Sequence, residues 1–214
     1  MTEKRIVALD PNCPAASELA EAAKLLEDGQ LVVAPTETRY GLLARAEDED
    51  ALKRVFDAKG RGKINPTALF VNGIDGLAEL GQMTPAATLL ASRFLPGPMT
   101  LVLRSRKPWG PPRVVDGMIG LRWSSSKVIA ALMGLVGFAV TATSANLAGQ
   151  GELDTVSEIA GVFGDKVSLY LDGGALRNPT STVVLCVDKE VTVLREGAIS
   201  SQAVRDTLRA GGLA

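Results

Sequence analysis

The sequence predicts an α/β fold with a mixed sheet flanked by helices, and three observations lead there. Helix-periodic segments alternate with short apolar runs along the whole chain, the pattern of layered α/β proteins. The last strand-like runs are separated by turns rather than helices, which brings antiparallel neighbours into the sheet. The 214 residues show no internal repeat, low-complexity tract or linker, so one domain over residues 1–214 with a sizeable core is expected.

The elements follow in order. Pro14 to Glu27 repeats Ala, Leu and charged residues at helical spacing, and Gly29 supplies the stop. Leu31 to Ala34 is a short buried strand that Pro35 ends. Asp48 to Ala58 reads as a helix with Leu52, Val55 and Phe56 on one face. Ala68 to Val71 is a strand ended by Asn72-Gly73. Thr84 caps a helix whose Pro85 suits the first turn. That helix runs to Phe94, and Pro96-Gly97-Pro98 turns the chain. Met99 to Leu103 and Met118 to Arg122 are strands on either side of a Pro/Gly loop at Lys107 to Pro112. Lys127 to Met133 is helical, Phe138 to Ala142 a strand, and Asp154 to Phe163 a helix capped by Asp154 or Thr155. Ser168 to Leu171, Ser181 to Val187 and Val191 to Leu194 are strands, and a last helix follows Ser200.

Composition excludes several functions. A net charge of −1 leaves no bulk field to attract nucleic acid or anionic membrane, so any such attraction needs a local patch. Aromatic content of 4% argues against a base-stacking platform. The chain has no histidine, which removes the commonest general base, metal ligand and pH switch. Two cysteines, Cys13 and Cys186, cannot make a four-ligand zinc site without histidine, and they read as a reduced, cytosolic pair. No run approaches the roughly 20 apolar residues that span a bilayer, and Met1 to Asp10 lacks a signal-peptide core. A cytoplasmic protein with no membrane partner is expected.

Short polar motifs sit beside the apolar runs, and each carries two readings. Pro35-Thr36-Glu37-Thr38 leaves a buried strand; its threonines either bind a ligand or satisfy a turn. Lys59-Gly60-Arg61, with Lys63 nearby, closes a helix and either neutralises phosphates or complements the helix dipole. It is not a P-loop, because Asp57 stands where the first glycine belongs and Ile64 where Ser or Thr belongs. Arg122 lies inside an apolar strand, so it is either ion-paired or emerges into a cleft where its planar fork suits a carboxylate. Ser144 and Asn146 follow a strand, where open α/β sheets bind ligands, or they cap and turn the chain. Ser181-Thr182 and Arg195 before Gly197 share that ambiguity. Gly149-Gln150-Gly151 is too short for a dinucleotide fingerprint and reads as a loop able to close over a ligand. No segment pairs a nucleophile with a base. Together the motifs offer hydroxyls, amides and fixed cations, which suit holding a nucleotide and a small carboxylate.

Taken jointly, these segments resemble the YrdC/TsaC family, the threonylcarbamoyl-AMP synthases of tRNA modification. The resemblance covers residues 15–205 and lies in the order and spacing of Pro35-Thr36-Glu37-Thr38 with Tyr40-Gly41-Leu42, Lys59 and Arg61, Pro96-Gly97-Pro98, Ser144 and Asn146, Ser181-Thr182-Val183, and Arg195 with Gly197. It implies a twisted open sheet with a concave, positively charged ligand cleft. It also implies synthesis of threonylcarbamoyl adenylate from L-threonine, bicarbonate and ATP with release of pyrophosphate. Mg²⁺ is then held mainly by the phosphates, and partner proteins transfer the group to tRNA, with direct tRNA contact a further expectation. By family position Lys59, Arg61, Ser144, Asn146 and Arg195 hold ATP, with Lys63 as an extra phosphate contact. Lys59 and Arg61 are the catalytic pair. Thr36, Arg122 and Ser181 hold L-threonine, with Arg122 on its carboxylate. The sequence departs from the family pattern at Arg39, Leu43, Arg45, Gly62, Thr67 and Ser124-Ser125-Ser126, and it is expected to be the short form without the additional C-terminal domain.

Overall fold

Two mixed sheets, rather than one, organise the chain. The computed structural model describes residues 5–60 and 66–213. In chain order the elements are β1 (Arg5–Ala8), α1 (Ala16–Glu27), β2 (Val32–Pro35), β3 (Tyr40–Leu43), α2 (Glu49–Lys59), β4 (Leu69–Phe70), α3 (Gly73–Leu80), α4 (Pro85–Phe94) and β5 (Met99–Arg104). They continue with β6 (Val114–Val115), β7 (Met118–Arg122), α5 (Lys127–Leu135), β8 (Val140–Thr141), β9 (Thr143–Ser144), α6 (Val156–Phe163), β10 (Leu169–Asp172), β11 (Thr182–Val187), β12 (Glu190–Arg195) and α7 (Ser201–Ala210).

The first sheet has the order β1-β10-β2-β3-β9, parallel as far as β2 and antiparallel beyond it. The second has the order β12-β11-β5-β7-β4-β8, with β6 on the same edge of β7 as β4. Its parallel pairs are β11 with β5 and β4 with β7.

Side-chain alternation sorts the core. In the first sheet Val32, Ala34, Leu169 and Leu171 pack on α1 and α5, while Val33, Leu42 and Tyr170 pack on α2 and α6. Both faces are covered, so these strands read as continuous apolar runs. In the second sheet Leu101, Leu103, Ile119, Leu121, Val184 and Cys186 pack on α3, α4 and α7. On the other face Phe70 and Val140 pack towards α5, while Thr100, Val102, Gly120, Val183 and Leu185 border a cavity.

The helix ends obey the expected chemistry. Asp48 accepts from the Asp50 and Ala51 amides, Thr84 from Ala87, and Ser200 from Ala203. Thr155 rather than Asp154 caps α6, in a capping box with Glu158. Besides the two-residue β6, three elements are additions to the sequence reading. Strand β1 lies in the charged N-terminal stretch. Strand β3 is buried throughout and so shows no alternation. Helix α3 begins at a glycine pair signal that reads as a turn. The expected strand Phe138 to Ala142 shortens to Val140–Thr141, and a further strand, β9, follows it in the other sheet. Thr141 pairs with β4 in the second sheet, and Thr143 pairs with β3 in the first. The fully buried Thr141 hydroxyl joins the two sheets, donating to the Leu42 carbonyl at 2.9 Å and accepting from the Ala44 amide at 3.0 Å.

The core also sets an alkaline limit. Burial pushes the hydroxyls of Tyr40 and Tyr170 up to about 12 from the ordinary 10. It pushes the Cys186 thiol up to about 12 from 9. Above the ordinary values the folded chain binds more protons than the unfolded chain, so stability falls as pH rises. The loss begins near pH 9 with Cys186 and continues to about 12. Urea midpoints are expected to decline steadily between about pH 8.5 and 11; a flat midpoint across that window contradicts the assignment.

Candidate active site

The chain crosses from β8 to β9 at Ala142, and the space between the two sheets there forms a cavity of about 520 Å³. Strand periodicity determines its floor. With Leu101 and Leu103 turned into the helix layer, Thr100 and Val102 face the cavity. Gly120 and Arg122 do so on β7, and Val183 and Leu185 on β11. The opposite wall is the turn from Thr36 to Tyr40 together with Thr143 and Ser144. One end is thus apolar and the other carries hydroxyls and arginines.

Five of the expected residues line this cavity: Thr36, Arg122, Ser144, Ser181 and Arg195. The Thr36 hydroxyl donates to the Arg39 carbonyl at 2.6 Å and accepts from the amides of Thr38 and Arg39. The turn reading is therefore satisfied, and the same turn presents Thr36 and Thr38 to the cavity. Arg122 is buried and donates to the Thr38 hydroxyl at 2.7 Å. Its Nη2 lies 3.0 Å from Glu37 Oε1, with side chains 8% and 14% exposed, so the ion pair sits in a low-dielectric site. The guanidinium stacks over the Phe70 ring at 5.5 Å. Glu37 is held in turn by the Ser124 hydroxyl. Both readings of Arg122 apply at once, because it is ion-paired on one side and borders the cavity on the other.

Ser181 and Arg195 form a second unit. Arg195 donates through Nε and Nη2 to the Ser181 carbonyl at 3.2 and 2.9 Å, and Nη2 also reaches the Ser181 hydroxyl at 3.1 Å. That hydroxyl lies 3.1 Å from the hydroxyl of Thr100. Burial lowers the Arg195 pKa; the charge of Glu152 opposes the shift, and that of Arg122 adds to it. The three charges therefore act on one another within one cleft. Gly197 makes the close approach possible. A β-carbon there stands 2.2 Å from the Thr180 carbonyl oxygen and 2.7 Å from the Ser181 carbonyl carbon. Gly197→Ala is expected to destabilise the fold by about 1–3 kcal/mol through displaced backbone, read from urea denaturation, and to move Ser181 with it.

Lys59 and Asn146 gather at Ser144 rather than lining the cavity themselves. Lys59 is 1% exposed, and its ammonium donates to the Ser144 carbonyl and lies 3.5 Å from Asn146 Oδ1. Asn146 Oδ1 accepts from the Ser144 hydroxyl at 2.5 Å. Gly60 ends α2 in the left-handed region at φ 62°, which favours glycine. Arg61 and Lys63, the remaining expected phosphate contacts, lie outside the described residues, as does Gly62.

The sequence reading missed Arg113 and Glu152, which also line the cavity. Arg113 is buried, donates to the Ala46 carbonyl at 3.0 Å and pairs with Glu49. It stands in what reads as a proline loop, and an arginine after Pro111-Pro112 gives no periodic signal. Arg39, a departure from the family pattern, pairs with Glu152 at 3.1 Å and with Asp154. Cys13 and Cys186 are free thiols, the first exposed and the second buried. Among the described residues no three His, Cys, Asp or Glu side chains gather to hold a metal ion. No helix among them is long and apolar enough to cross a membrane.

This arrangement gathers fixed cations and hydroxyls around one cavity. The similarity to known proteins agrees with it. The Sua5/YciO/YrdC family, described as telomere recombination, matches residues 24–197. Threonylcarbamoyl-AMP synthase of Bacillus subtilis is 34% identical over 195 residues, covering 87% of this chain and 55% of the relative. Its Pyrococcus abyssi namesake is 34% identical over 192 residues, covering 87% of this chain and 56% of the relative. The chain thus spans about half the length of these curated relatives. The solved structure of Pyrococcus abyssi Sua5 complexed with L-threonine superposes with a TM-score of 0.86 at 32% identity, covering 95% of this chain and 60% of that one. With a family match over most of its length and a shared fold, the chain belongs to the Sua5/YciO/YrdC family.

Proposed function

We propose that this protein forms threonylcarbamoyl-AMP and pyrophosphate from L-threonine, bicarbonate and ATP. The observation that carries the reading is the cleft itself. Arg122 and Arg195 share one cavity with the hydroxyls of Thr36, Ser181 and Ser144. The Lys59, Ser144 and Asn146 cluster adjoins it. Similarity to named threonylcarbamoyl-AMP synthases supports the same activity.

The chemistry asks for positioning more than for a protein nucleophile. Bicarbonate takes up a proton and loses water to give carbon dioxide, and the threonine amine adds to that carbon and loses a proton, giving a carbamate. A carbamate oxygen then attacks the α-phosphorus of ATP, and the bond to the pyrophosphate oxygen breaks as the new P–O bond forms. Two anions must be held in line and the departing charge stabilised, which fixed donors in a dry cleft do well. We assign Thr36, Arg122 and Ser181 to L-threonine, with the Arg122 fork on its carboxylate. We assign Lys59, Ser144, Asn146 and Arg195 to ATP, joined by Arg61 and Lys63. Lys59 and Arg61 stabilise charge on the phosphates.

The described donor set does not build a protein cage for Mg²⁺, and it fits an ion that arrives on the oxygens of the triphosphate. Four arginines line the cleft. Arg39 is ion-paired with Glu152 and Asp154, Arg113 with Glu49, and Arg122 with Glu37, which leaves Arg195, held by Ser181, as the cation most open to an anionic ligand. The proposal includes a cytoplasmic location and delivery of the adenylate to the proteins that transfer the threonylcarbamoyl group to tRNA.

The test is pyrophosphate release by purified protein with ATP, Mg²⁺ and bicarbonate, comparing L-threonine with L-serine and with no amino acid. Threonine-dependent release with the adenylate detected by mass is expected. Absence of release together with salt-sensitive RNA binding replaces the enzyme reading with a non-catalytic RNA-binding module. Release with another amino acid alone identifies a paralogue of changed substrate.

A further inference from the structure

Glu152 is one of two acidic residues that line the cleft, with Asp116, and the proposed chemistry does not use it. It belongs to the exposed segment that leads from Asn146 into α6, yet its side chain turns inward and lines the cavity. Its Oε2 lies 3.1 Å from Arg39 Nε, with the two side chains 31% and 21% exposed. Its charge also acts on Arg195, which stands across the cleft with Arg122 as a like-charged neighbour.

Arg39 has other partners besides Glu152. Its Nη1 already donates to Asp154 and to the Leu176 carbonyl, the latter at 3.0 Å. Asp154 is fixed further by Arg177 at 3.2 Å and by the Leu176 amide at 2.8 Å. The upstream end of the segment is fixed as well. The Ala148 amide donates to the Lys59 carbonyl at 3.1 Å, and Asn146 Nδ2 to the Gln150 carbonyl at 2.9 Å. Between these anchors lie Gly151, Glu152 and Leu153; Leu153 packs on the core, and a β-carbon at Gly151 meets nothing within 4 Å. Withdrawal of the Glu152 side chain therefore leaves Arg39 paired and both anchors in place.

We propose that Glu152 is an internal anion that competes with incoming phosphate groups for the cleft arginines, and so sets a deliberately weak grip on pyrophosphate. This rests on the anion-binding reading of the cleft given above. A cleft of several arginines risks holding a leaving pyrophosphate too tightly. A tethered carboxylate that returns to Arg39 and Arg195 assists its departure. It also fills the cationic end against stray anions.

The experiment is titration of inorganic pyrophosphate into the wild-type protein and into Glu152→Gln by calorimetry, without Mg²⁺ so that no metal can bridge a carboxylate to the ligand. Glu152→Gln keeps the shape and removes the charge. Its pyrophosphate affinity is expected to rise on the order of five-fold, the scale of one partly exposed charge contact. A residue that merely supports the loop, or that helps bind the ligand, gives the opposite sign. Unchanged or weaker binding by Glu152→Gln, with the wild type binding normally, overturns the inference and leaves the proposed function intact. Absence of pyrophosphate binding by both proteins overturns this inference and the anion reading beneath it.

Discussion

Arg122→Ala is expected to abolish threonine-dependent pyrophosphate release and to destabilise the fold by about 3–5 kcal/mol, the scale of breaking a buried ion pair. The second effect follows because Glu37, only 14% exposed, loses its cation. The Thr38 hydroxyl loses its 2.7 Å donor at the same time. Loss of activity in this single variant therefore mixes two causes. The double variant Arg122→Ala with Glu37→Gln separates them, because it removes the stranded carboxylate together with the arginine. Its melting temperature is expected to recover most of the loss, while threonine affinity stays at least tenfold below wild type. Recovery of both stability and threonine affinity would falsify the ligand role and leave Arg122 a structural residue. Arg122→Lys adds a further check. It retains the charge for Glu37 but not the planar fork, so the fold should persist and threonine binding should weaken.

The sequence shows the residue types of this site more plainly than their partners. Thr36, Ser144, Ser181 and Arg195 stand in motifs at strand ends, and the fold brings them into one cavity. What fixes them comes from distant parts of the chain. Glu37 reads as a turn residue until β2 and β7 place it against Arg122. Glu152 reads as part of a loop until the turn at Arg39 meets it. Neither pairing has a local period or spacing that could reveal it. The fold shows the same limit. Helices with a capping residue and an apolar face are legible, as at Asp48, Thr84 and Ser200. Strand β3 is hidden because burial on both faces removes the alternation that marks a strand. The division into two sheets is hidden because β9 is only Thr143 and Ser144, which read as a polar motif after a strand. Only the pairing of Thr141 with Leu69 and of Thr143 with Leu42 shows that the chain changes sheets there. That crossing opens the cleft, so the site depends on a feature of topology that no single segment encodes.

Lys59→Met is expected to lower kcat/KM for ATP by about 100-fold or more while leaving threonine affinity close to wild type. The size is that of removing one fixed donor from a site that stabilises developing charge. Lys59 is 1% exposed at the C-terminal end of α2, where its ammonium donates to the Ser144 carbonyl and approaches Asn146 Oδ1. The substitution therefore removes the positive charge assigned to the phosphates and loosens the strand that presents Ser144. Methionine fills nearly the same volume, and an apolar replacement of a buried cation is tolerated far better than a cavity. The melting temperature is expected to fall by a few degrees, because the Ser144 carbonyl loses its buried donor, a small effect beside the fall in rate. Lys59→Arg distinguishes charge from geometry. A bulkier, planar head cannot enter a site fitted to an ammonium without shifting Ser144, so activity should remain low although the charge is kept. If Lys59→Met binds and uses ATP as the wild type does, Lys59 only braces Ser144 and the ATP assignment moves to Arg195. If ATP and threonine affinities fall together, the lysine supports the cleft as a whole rather than one substrate. A selective loss for ATP is the outcome that ties the end of α2 to the phosphate side of the cleft.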